Sequence, residues 1–224
     1  MNRLDMSEYN TADALSRLIG GYDSDTPGVL SSMVRDNPYG VLLLDEFEKT
    51  NPKVLDLFLQ IIDEGVFSDA QGKKISARNL IIVATSNASS QIIFNAVSKG
   101  NDLLGSKDEI VNTIIAEGIF KPELINRFDG VILFEPLGNE HLRKIATLML
   151  GKLSWRLKEK GMTLVINDAL INYLVKKGND PKFGARPLNR AIQDTVEKII
   201  ADGIISLRFR PGSTIELSEA DFHS

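Results

Sequence analysis

Two adjacent carboxylates, Asp45 and Glu46, directly follow a run of four apolar residues, 41–44. Such a run is typical of a buried strand, and open parallel sheets bind their ligands at the carboxyl ends of the strands. There the first carboxylate can hold a magnesium ion, and the second can orient and polarise an attacking water molecule. The pattern therefore has the form of a Walker B motif. The alternative is that two acids simply mark the point where a strand meets solvent.

The strands that would position these acids are continuous apolar runs. Residues 41–44 and 80–84 lack alternating polar positions, which is typical of strands buried on both faces of a parallel sheet, so we expect helices over both faces. A helix is predicted over residues 51–64, because apolar residues recur at helical spacing and Gly65 follows as a stop. Residues 131–134 predict one more short strand. The expected fold is therefore α/β.

The second part of the chain is predicted to be a small, mainly helical domain. Apolar residues recur three and four apart over residues 139–160, which favours a long amphipathic helix. Shorter elements are predicted after it: helices over 168–177 and 186–205, and strands over 162–166 and 214–217. We therefore expect a large α/β unit over residues 1–137 and a small carboxyl-terminal domain over residues 138–224.

Composition argues against several classes of function. The 224 residues include 26 Lys and Arg against 30 Asp and Glu, a formal charge of -4, which offers no bulk attraction for nucleic acid or an anionic membrane. There is no cysteine, so thiolate metal sites and cysteine nucleophiles are excluded, and two histidines argue against a histidine metal site. No apolar run approaches the roughly 18 residues of a membrane helix. We therefore expect a soluble, cytoplasmic protein.

Six short motifs follow one another along nearly the whole chain. They are RLDMSEY at residues 3–9, PY at 38–39, DEFEK at 45–49, TSN at 85–87, FKPELINRFD at 120–129 and GARPL at 184–188. In this order they resemble the AAA+ ATPases of the Clp unfoldase and disaggregase family. They are most similar to the carboxyl-terminal ATPase module of the two-ring Clp proteins, or to the single module of a shorter relative. The resemblance implies a hexameric ring that uses ATP and Mg²⁺ to thread unfolded or aggregated polypeptide. It also implies a parallel sheet flanked by helices, with strand order 5-1-4-3-2, and a small lid domain.

The resemblance assigns roles to three residues at the predicted strand ends. Asp45 would hold magnesium and contact the nucleotide, and Glu46 would polarise the attacking water. Asn87 is similar to the family's sensor 1, a polar group between the catalytic acid and the terminal phosphate. The alternative for Asn87 is a turn residue at the end of a strand.

Two arginines resemble further nucleotide-contacting residues of the family. Arg127 is similar to the arginine finger, which reaches the nucleotide of the neighbouring subunit and needs a partner chain to act. Its alternative is a surface ion pair with Asp129 or Glu123. Arg186 is similar to sensor 2, at the start of a helix of the small domain, and its alternative is a helix-start arginine with a local partner.

Two segments lie where the family has channel-facing loops. In the first, Tyr22 follows two glycines and is the candidate residue for gripping substrate. This segment is shorter than in Clp relatives and carries Asp23 and Asp25, so an ordinary loop tyrosine is the alternative. The second segment, residues 68–74, lies in a predicted hairpin, and a simple solvent-exposed hairpin is its alternative.

The phosphate-binding motif Gly-x-x-x-x-Gly-Lys-Ser/Thr does not occur in the sequence. Its backbone amides and lysine cradle the phosphates in this family. In the family this motif lies upstream of the segment that residues 3–9 resemble. We therefore interpret the chain as a fragment or truncated product that does not hydrolyse ATP alone. The family's first strand would be absent as well, leaving two strands without their shared neighbour. We expect rearrangement, another chain or water to fill that gap.

Two functions remain as hypotheses. The first is part of an ATP-driven protein unfoldase or disaggregase. The second is a non-hydrolysing interaction or scaffold protein that keeps the AAA+ shape and lends Arg127 to a partner. A DNA-directed AAA+ protein is disfavoured by the acidic balance. Residues 88–118 lack the Ile-Gly-Phe/Leu tripeptide with which family members dock a protease, which favours a disaggregase-like chaperone. A Clp-type protease or a co-chaperone is a further candidate partner.

Overall fold

The computed structural model describes residues 1–21, 27–98, 102–103, 105–180 and 184–222. The chain divides into two compact units, Met1–Phe134 and Glu135–Ser224. Each unit has an apolar core of its own, so each is described separately.

The first unit alternates strands and helices. Its strands are β1 (Asn2–Asp5), β2 (Gly40–Asp45), β3 (Val66–Ser68), β4 (Lys74–Ser76) and β5 (Leu80–Ala84). Its helices are α1 (Ala14–Ile19), α2 (Val29–Asp36), α3 (Pro52–Glu64), α4 (Ser90–Ser98), α5 (Lys107–Ala116) and α6 (Pro122–Arg127). Short 3-10 turns span Met6–Tyr9 and Phe47–Lys49.

A parallel sheet in the order β1-β2-β5 forms the centre of this unit. The register places Asp5 opposite Asp45 and Leu44 opposite Ala84, so the three strands end at the same edge. Leu42 and Leu44 are buried in the core beneath the sheet. The predicted α/β fold with a parallel sheet flanked by helices is therefore confirmed.

Helix α3 packs in the same apolar core as this sheet. The Asn51 side chain caps its start by accepting from the Lys53 amide at 3.0 Å, and Pro52 occupies the first turn. Its buried side chains recur at helical spacing: Val54, Leu57, Phe58 and Ile61. Gly65 ends it in the left-handed conformation, with a φ of 68° that favours glycine.

The outer strand, β5, is less covered than its sequence predicts. Ile81 is 65% exposed and Val83 41% exposed, so the expectation that helices bury both faces of this strand is wrong. Residues 131–134 do not form the predicted strand, and Ile132 and Phe134 are exposed. A strand needs a hydrogen-bonded neighbour, and β5 has no partner on its outer side within the part of the chain described.

The predicted hairpin forms from β3 and β4, which pair antiparallel. Asp69 stabilises its turn because its carboxylate accepts from the amides of Gln71 at 3.0 Å and Lys73 at 2.8 Å. Arg35 of α2 also pairs with Asp69. The pair with Arg35 attaches the hairpin to α2. Burial of Asp69 raises its pKa, but the hydrogen bonds that Asp69 accepts outweigh burial and hold the pKa below its usual value.

The second unit is mainly helical, as predicted. Its elements are α7 (Asn139–Lys158), β6 (Thr163–Leu164), α8 (Asp168–Gly178), α9 (Arg186–Ala191), α10 (Lys198–Ile205) and β7 (Thr214–Ile215). A π-helical segment, Ile192–Glu197, joins α9 to α10. The helix predicted over residues 186–205 is therefore continuous, but its middle part is π-helical. Strands β6 and β7 pair in parallel. No helix in the described ranges has the length and apolar character to cross a bilayer.

Candidate functional site

The ends of β2 and β5 are joined by backbone hydrogen bonds through Thr85. The Thr85 amide donates to the Leu44 carbonyl at 2.9 Å, and the Thr85 carbonyl accepts from the Phe47 amide at 2.9 Å. These bonds continue the sheet past its last register pair. The residues after each strand are thereby held side by side, as the parallel register predicts.

Asp45 is paired on both carboxylate oxygens. The Thr85 hydroxyl donates to Oδ1, and the Arg3 guanidinium donates to Oδ2 at 2.5 Å. The hydrogen bond from Thr85 is the main cause that lowers the pKa of Asp45 below its usual value, with Arg3 adding to it against the opposing effect of burial. Asp45 is therefore ionised at neutral pH.

Glu46 lies in a backbone conformation that is unusual for a residue with a side chain. Its φ of 55° and ψ of 46° are left-handed, a strain that tends to occur at functional sites. The neighbouring Phe47 holds this turn in place, because it is 1% exposed and its ring lies 5.6 Å from Phe58 and 5.7 Å from Phe120, centroid to centroid. Burial of Phe47 thus fixes the turn that carries Glu46 and Glu48.

The Glu46 carboxylate has one cationic partner. Lys49 Nζ lies 2.7 Å from Glu46 Oε2, and this hydrogen bond is the main cause that raises the pKa of Lys49. The lysine therefore stays protonated and keeps a positive charge beside Glu46. Its charge also lies near Asp5 and Glu48, which raise its pKa further.

Asn87 lies on the loop that leaves β5. Its backbone amide donates to Glu48 Oε1 at 3.2 Å, so it is tied to the turn that carries Glu46. Its side chain is exposed and makes no hydrogen bond within the described residues. The structure thus brings Asp45, Glu46 and Asn87 to one edge of the sheet and leaves the Asn87 amide group available to a ligand.

Arg127 ends α6, and its ion pair joins it to α3. Its guanidinium lies 3.1 Å from Asp63, and both side chains are about half exposed. The alternative partners predicted from the sequence, Asp129 and Glu123, are therefore wrong, because the turn of α6 directs Arg127 towards α3. No ion pair or hydrogen bond links it to Asp45 in the described part of the chain.

The remaining two candidates lie elsewhere. Arg186 begins α9 in the second unit, where it is exposed and has no ion pair or hydrogen bond to another described residue. Gly184 precedes it with a φ of 60°, which provides the turn into the helix. Tyr22 lies outside the described residues.

Sequence reasoning missed three side chains that organise this edge: Thr85, Arg3 and Glu48. Thr85 and Arg3 pair with Asp45, and Glu48 binds the backbone of Asn87. Thr85 could have been found, because it directly follows β5, and the neighbouring strand β2 ends at Asp45. Its hydroxyl is therefore expected near that carboxylate. The other two contacts depend on side-chain reach across the sheet.

The residues at this edge provide one carboxylate for a metal rather than a complete metal site. The described residues contain no group of three or more His, Cys, Asp or Glu placed to hold a metal ion. Mg²⁺ commonly takes one or two protein carboxylates and completes its shell with phosphates and water. Asp45 fits that use, provided that the phosphates come with the ion and Arg3 gives up its pairing with Oδ2.

Comparison with known proteins places both units in described families. Residues 1–131 match the family described as "AAA domain (Cdc48 subfamily)", and residues 137–217 match "C-terminal, D2-small domain, of ClpB protein". The chaperone protein ClpB of Vibrio cholerae is 39% identical over 99% of this chain and 26% of its own length. ClpB of Prochlorococcus marinus is 40% identical, also over 99% of this chain and 26% of its own length.

A solved structure is similar over both units. It is a closed-state cryo-electron microscopy reconstruction of Hsp104 with ATPγS and FITC-casein. The TM-score is 0.83 at 29% identity, and the similarity covers 96% of this chain and 38% of that one. The chain therefore spans about a quarter of the curated relatives it matches and under half of the solved one.

Proposed function

Since the chain belongs to the AAA domain family, in its Cdc48 subfamily, and its second unit to the D2-small family of ClpB, we propose that it contributes the hydrolytic residues of an ATP-driven protein unfoldase or disaggregase of the Clp type. The observation that carries this proposal is the arrangement of Asp45, Glu46 and Asn87 at the common edge of β2 and β5. The relatives named above are chaperones, and the solved Hsp104 contains ATPγS and casein.

The three residues have complementary tasks in this proposal. Asp45, kept ionised by Thr85 and Arg3, provides the carboxylate for a cation bound to the phosphates. Glu46, in its left-handed backbone conformation next to the buried Phe47, orients and polarises the attacking water. The exposed amide of Asn87 hydrogen-bonds the water or the terminal phosphate. Mg²⁺, when bound with ATP, would neutralise phosphate charge.

Arg127 is proposed to act on the nucleotide of a neighbouring copy. Its ion pair with Asp63 is exposed at both ends, so the pair stabilises the fold by only about 0 to 1 kcal/mol. Releasing the guanidinium to a phosphate on another chain therefore costs little. This role requires self-association, for which we propose the hexameric ring expected from the family.

The lid domain and the loop of Tyr22 complete the proposal. Residues 1–137 would form the large AAA+ subdomain and residues 138–224 the lid, in which Arg186 contacts the bound nucleotide. Tyr22 would grip polypeptide, since an aromatic ring on a loop after two glycines offers apolar area to many side chains. The substrates would be unfolded or aggregated polypeptides, in the cytoplasm, with a protease or co-chaperone as a further partner.

A second function rests on a different observation. The 224 residues contain no Gly-x-x-x-x-Gly-Lys-Ser/Thr motif, so nothing in them matches the usual phosphate cradle. A chain without that cradle can still keep the AAA+ shape and present Arg127 to a partner. The alternative is therefore a non-hydrolysing interaction or scaffold protein.

Two forms of the protein distinguish these functions. The first is the 224-residue chain, and the second, called the P-loop fusion, carries a strand, a Gly-x-x-x-x-Gly-Lys-Thr loop and a helix joined before Met1. We expect phosphate release from ATP at background level for the chain and clear turnover for the fusion. If the 224-residue chain hydrolysed ATP and Glu46→Gln abolished that turnover, the expectation that the chain alone is inactive would be refuted. A fusion that binds ATP yet never hydrolyses it would favour the scaffold function.

The gripping role of Tyr22 has a separate test in the P-loop fusion. Tyr22→Ala should leave ATP turnover nearly intact and abolish unfolding of a tagged substrate, whereas Tyr22→Phe should retain most of the unfolding. Unfolding at the unaltered rate by the alanine variant would show that this loop does not grip substrate.

A further inference from the structure

Glu48 carries the one buried side-chain oxygen that lacks a hydrogen bond among the described residues. Its Oε2 is shielded from water, while Oε1 accepts from the Asn87 amide at 3.2 Å. A buried polar atom without a partner is costly, and the cost is larger for a charged group. An apolar residue would fill this space at a lower cost. The presence of a glutamate therefore suggests that the hydrogen bond of Oε1 with Asn87 has a role of its own.

The loop 85–87 is held at both ends by the turn that follows β2. The Thr85 amide and hydroxyl donate to Leu44 and Asp45 at the end of β2, and its carbonyl accepts from the Phe47 amide in the turn. Asn87 bonds to the same turn through Glu48. Beyond Asn87 the chain enters α4, with the Ser90 amide donating to the Asn87 carbonyl at 3.2 Å. The hydrogen bond between Glu48 and Asn87 is therefore the last one that joins the ends of β2 and β5 before the chain enters α4.

Glu48 is itself fixed by its place in the turn. It lies in the 3-10 turn Phe47–Lys49, directly after the buried Phe47. Phe47 packs between Phe58 and Phe120, so the backbone that carries both Glu46 and Glu48 is anchored in the core. A hydrogen bond from an amide to a carboxylate is among the stronger kinds, so Glu48 can transmit this anchoring to Asn87.

We propose that Glu48 is a positioning residue that fixes Asn87 relative to Asp45 and Glu46. Glu48 does not contact the reacting atoms in this assignment. Its Oε1 holds the backbone of Asn87, so that the free side-chain amide of Asn87 stays beside the two carboxylates. The inference rests on the proposed function for its consequence in hydrolysis, but the contact itself is a property of the 224-residue chain.

The contact is tested by amide NMR on the 224-residue chain. Glu48→Leu removes the acceptor at similar volume, and Glu48→Gln keeps an acceptor oxygen at the same reach. In Glu48→Leu the Asn87 amide proton should shift upfield and exchange faster by about tenfold or more, the factor expected when a bond to a charged acceptor is lost. Glu48→Gln should retain most of the protection.

A matched control lies on the same loop. The Glu117 carboxylate accepts from the Ser89 hydroxyl at 3.4 Å, two residues beyond Asn87. Glu117→Leu should leave the Asn87 amide unchanged, which separates a specific contact from general loosening of the loop. The rest of each spectrum reports whether the variant is folded.

The consequence is tested by kinetics in the P-loop fusion. Glu48→Leu should lower kcat by about 100-fold, the loss typical of a displacement near 1 Å, with KM for ATP nearly unchanged. Glu48→Gln should recover most of kcat. An Asn87 amide that keeps its shift and protection in Glu48→Leu would overturn the inference, as would an unchanged kcat. A fusion without any hydrolysis would instead refute the proposed function, and the NMR result alone would then decide the role of Glu48.

Discussion

Replacing Thr85 by valine tests how the two strand ends hold Asp45. Valine keeps the shape of threonine but removes the hydroxyl that donates to Asp45 Oδ1. The backbone bonds of residue 85 to Leu44 and Phe47 do not involve the side chain and should persist. The substitution therefore removes the hydrogen bond to the charged Asp45 and a long one, 3.4 Å, that the hydroxyl accepts from the Glu46 amide.

The size of the effect follows from exposure. A hydrogen bond to a charged group contributes about 1.5 to 3 kcal/mol when shielded, but Thr85 is exposed and the Asp45 side chain is 29% exposed. Water competes for both groups, so we expect a loss of about 1 kcal/mol in the free energy of unfolding at pH 7. Asp45 keeps Arg3 as a partner, which limits the loss.

The sign of the pH dependence is fixed by the direction of the pKa shift. The Thr85 hydrogen bond lowers the pKa of Asp45 in the folded chain, so its contribution is complete above the unfolded value of about 3.9 and is lost as the pH falls through the folded value. Thr85→Val should therefore differ from the unaltered chain most at about pH 5 to 7 and least in strong acid. The pKa of Asp45 itself should rise towards its usual value.

Urea unfolding at several pH values and carbon-detected NMR titration of the Asp45 carboxyl measure both quantities. Thr85→Ser retains a hydroxyl and should behave like the unaltered chain. Thr113→Val is a matched control, because the Thr113 hydroxyl donates to the Glu109 carbonyl at 2.8 Å and touches no carboxylate. An Asp45 pKa that is the same with valine as with threonine would refute the assigned cause.

Three further predictions concern other parts of the chain. Phe47→Ala should destabilise the first unit by about 3 to 5 kcal/mol in urea unfolding, because it removes a buried ring from an aromatic cluster; a loss below about 1 kcal/mol would contradict the anchoring role. Arg127→Ala should cost at most about 1 kcal/mol, since its pair with Asp63 is exposed, yet should abolish turnover at the neighbour's site in mixed assemblies of the P-loop fusion. Ser218 and Arg208 lower the pKa of Asp221 to about 2, so Asp221→Asn should lower the melting temperature at pH 7 and lose this effect as the pH falls towards 2; a difference that persists there would refute the assignment.

The sequence predicted the elements whose signals are local. Apolar spacing predicted α3 and α7 close to their observed bounds, and the acids after β2 were correctly expected at a strand end. The resemblance to the Clp family led us to expect Asn87 beside them, and β2 and β5 do pair in parallel and end at the same edge. The π-helical segment Ile192–Glu197 was missed, since its apolar spacing does not differ visibly from that of an α-helix.

The errors and omissions concern contacts that a local pattern does not contain. Residues 131–134 have the composition of a strand, but a strand also needs a paired neighbour, and none is present for them in the described ranges. The pair between Arg127 and Asp63 depends on how α6 packs on α3. Likewise, the contact between Glu48 and Asn87 depends on the sheet register, which places residues far apart in sequence side by side.

The most direct test of the account compares nucleotide binding with hydrolysis in the P-loop fusion and its Glu46→Gln variant. Glutamine keeps the shape of Glu46 but removes the charge that polarises water, so it should not disturb the position of Asp45. We expect equal affinity for a fluorescent ATP analogue and loss of phosphate release in the variant. Unchanged phosphate release would contradict the assignment of Glu46 and, with it, the identification of the edge of β2 and β5 as the hydrolytic site.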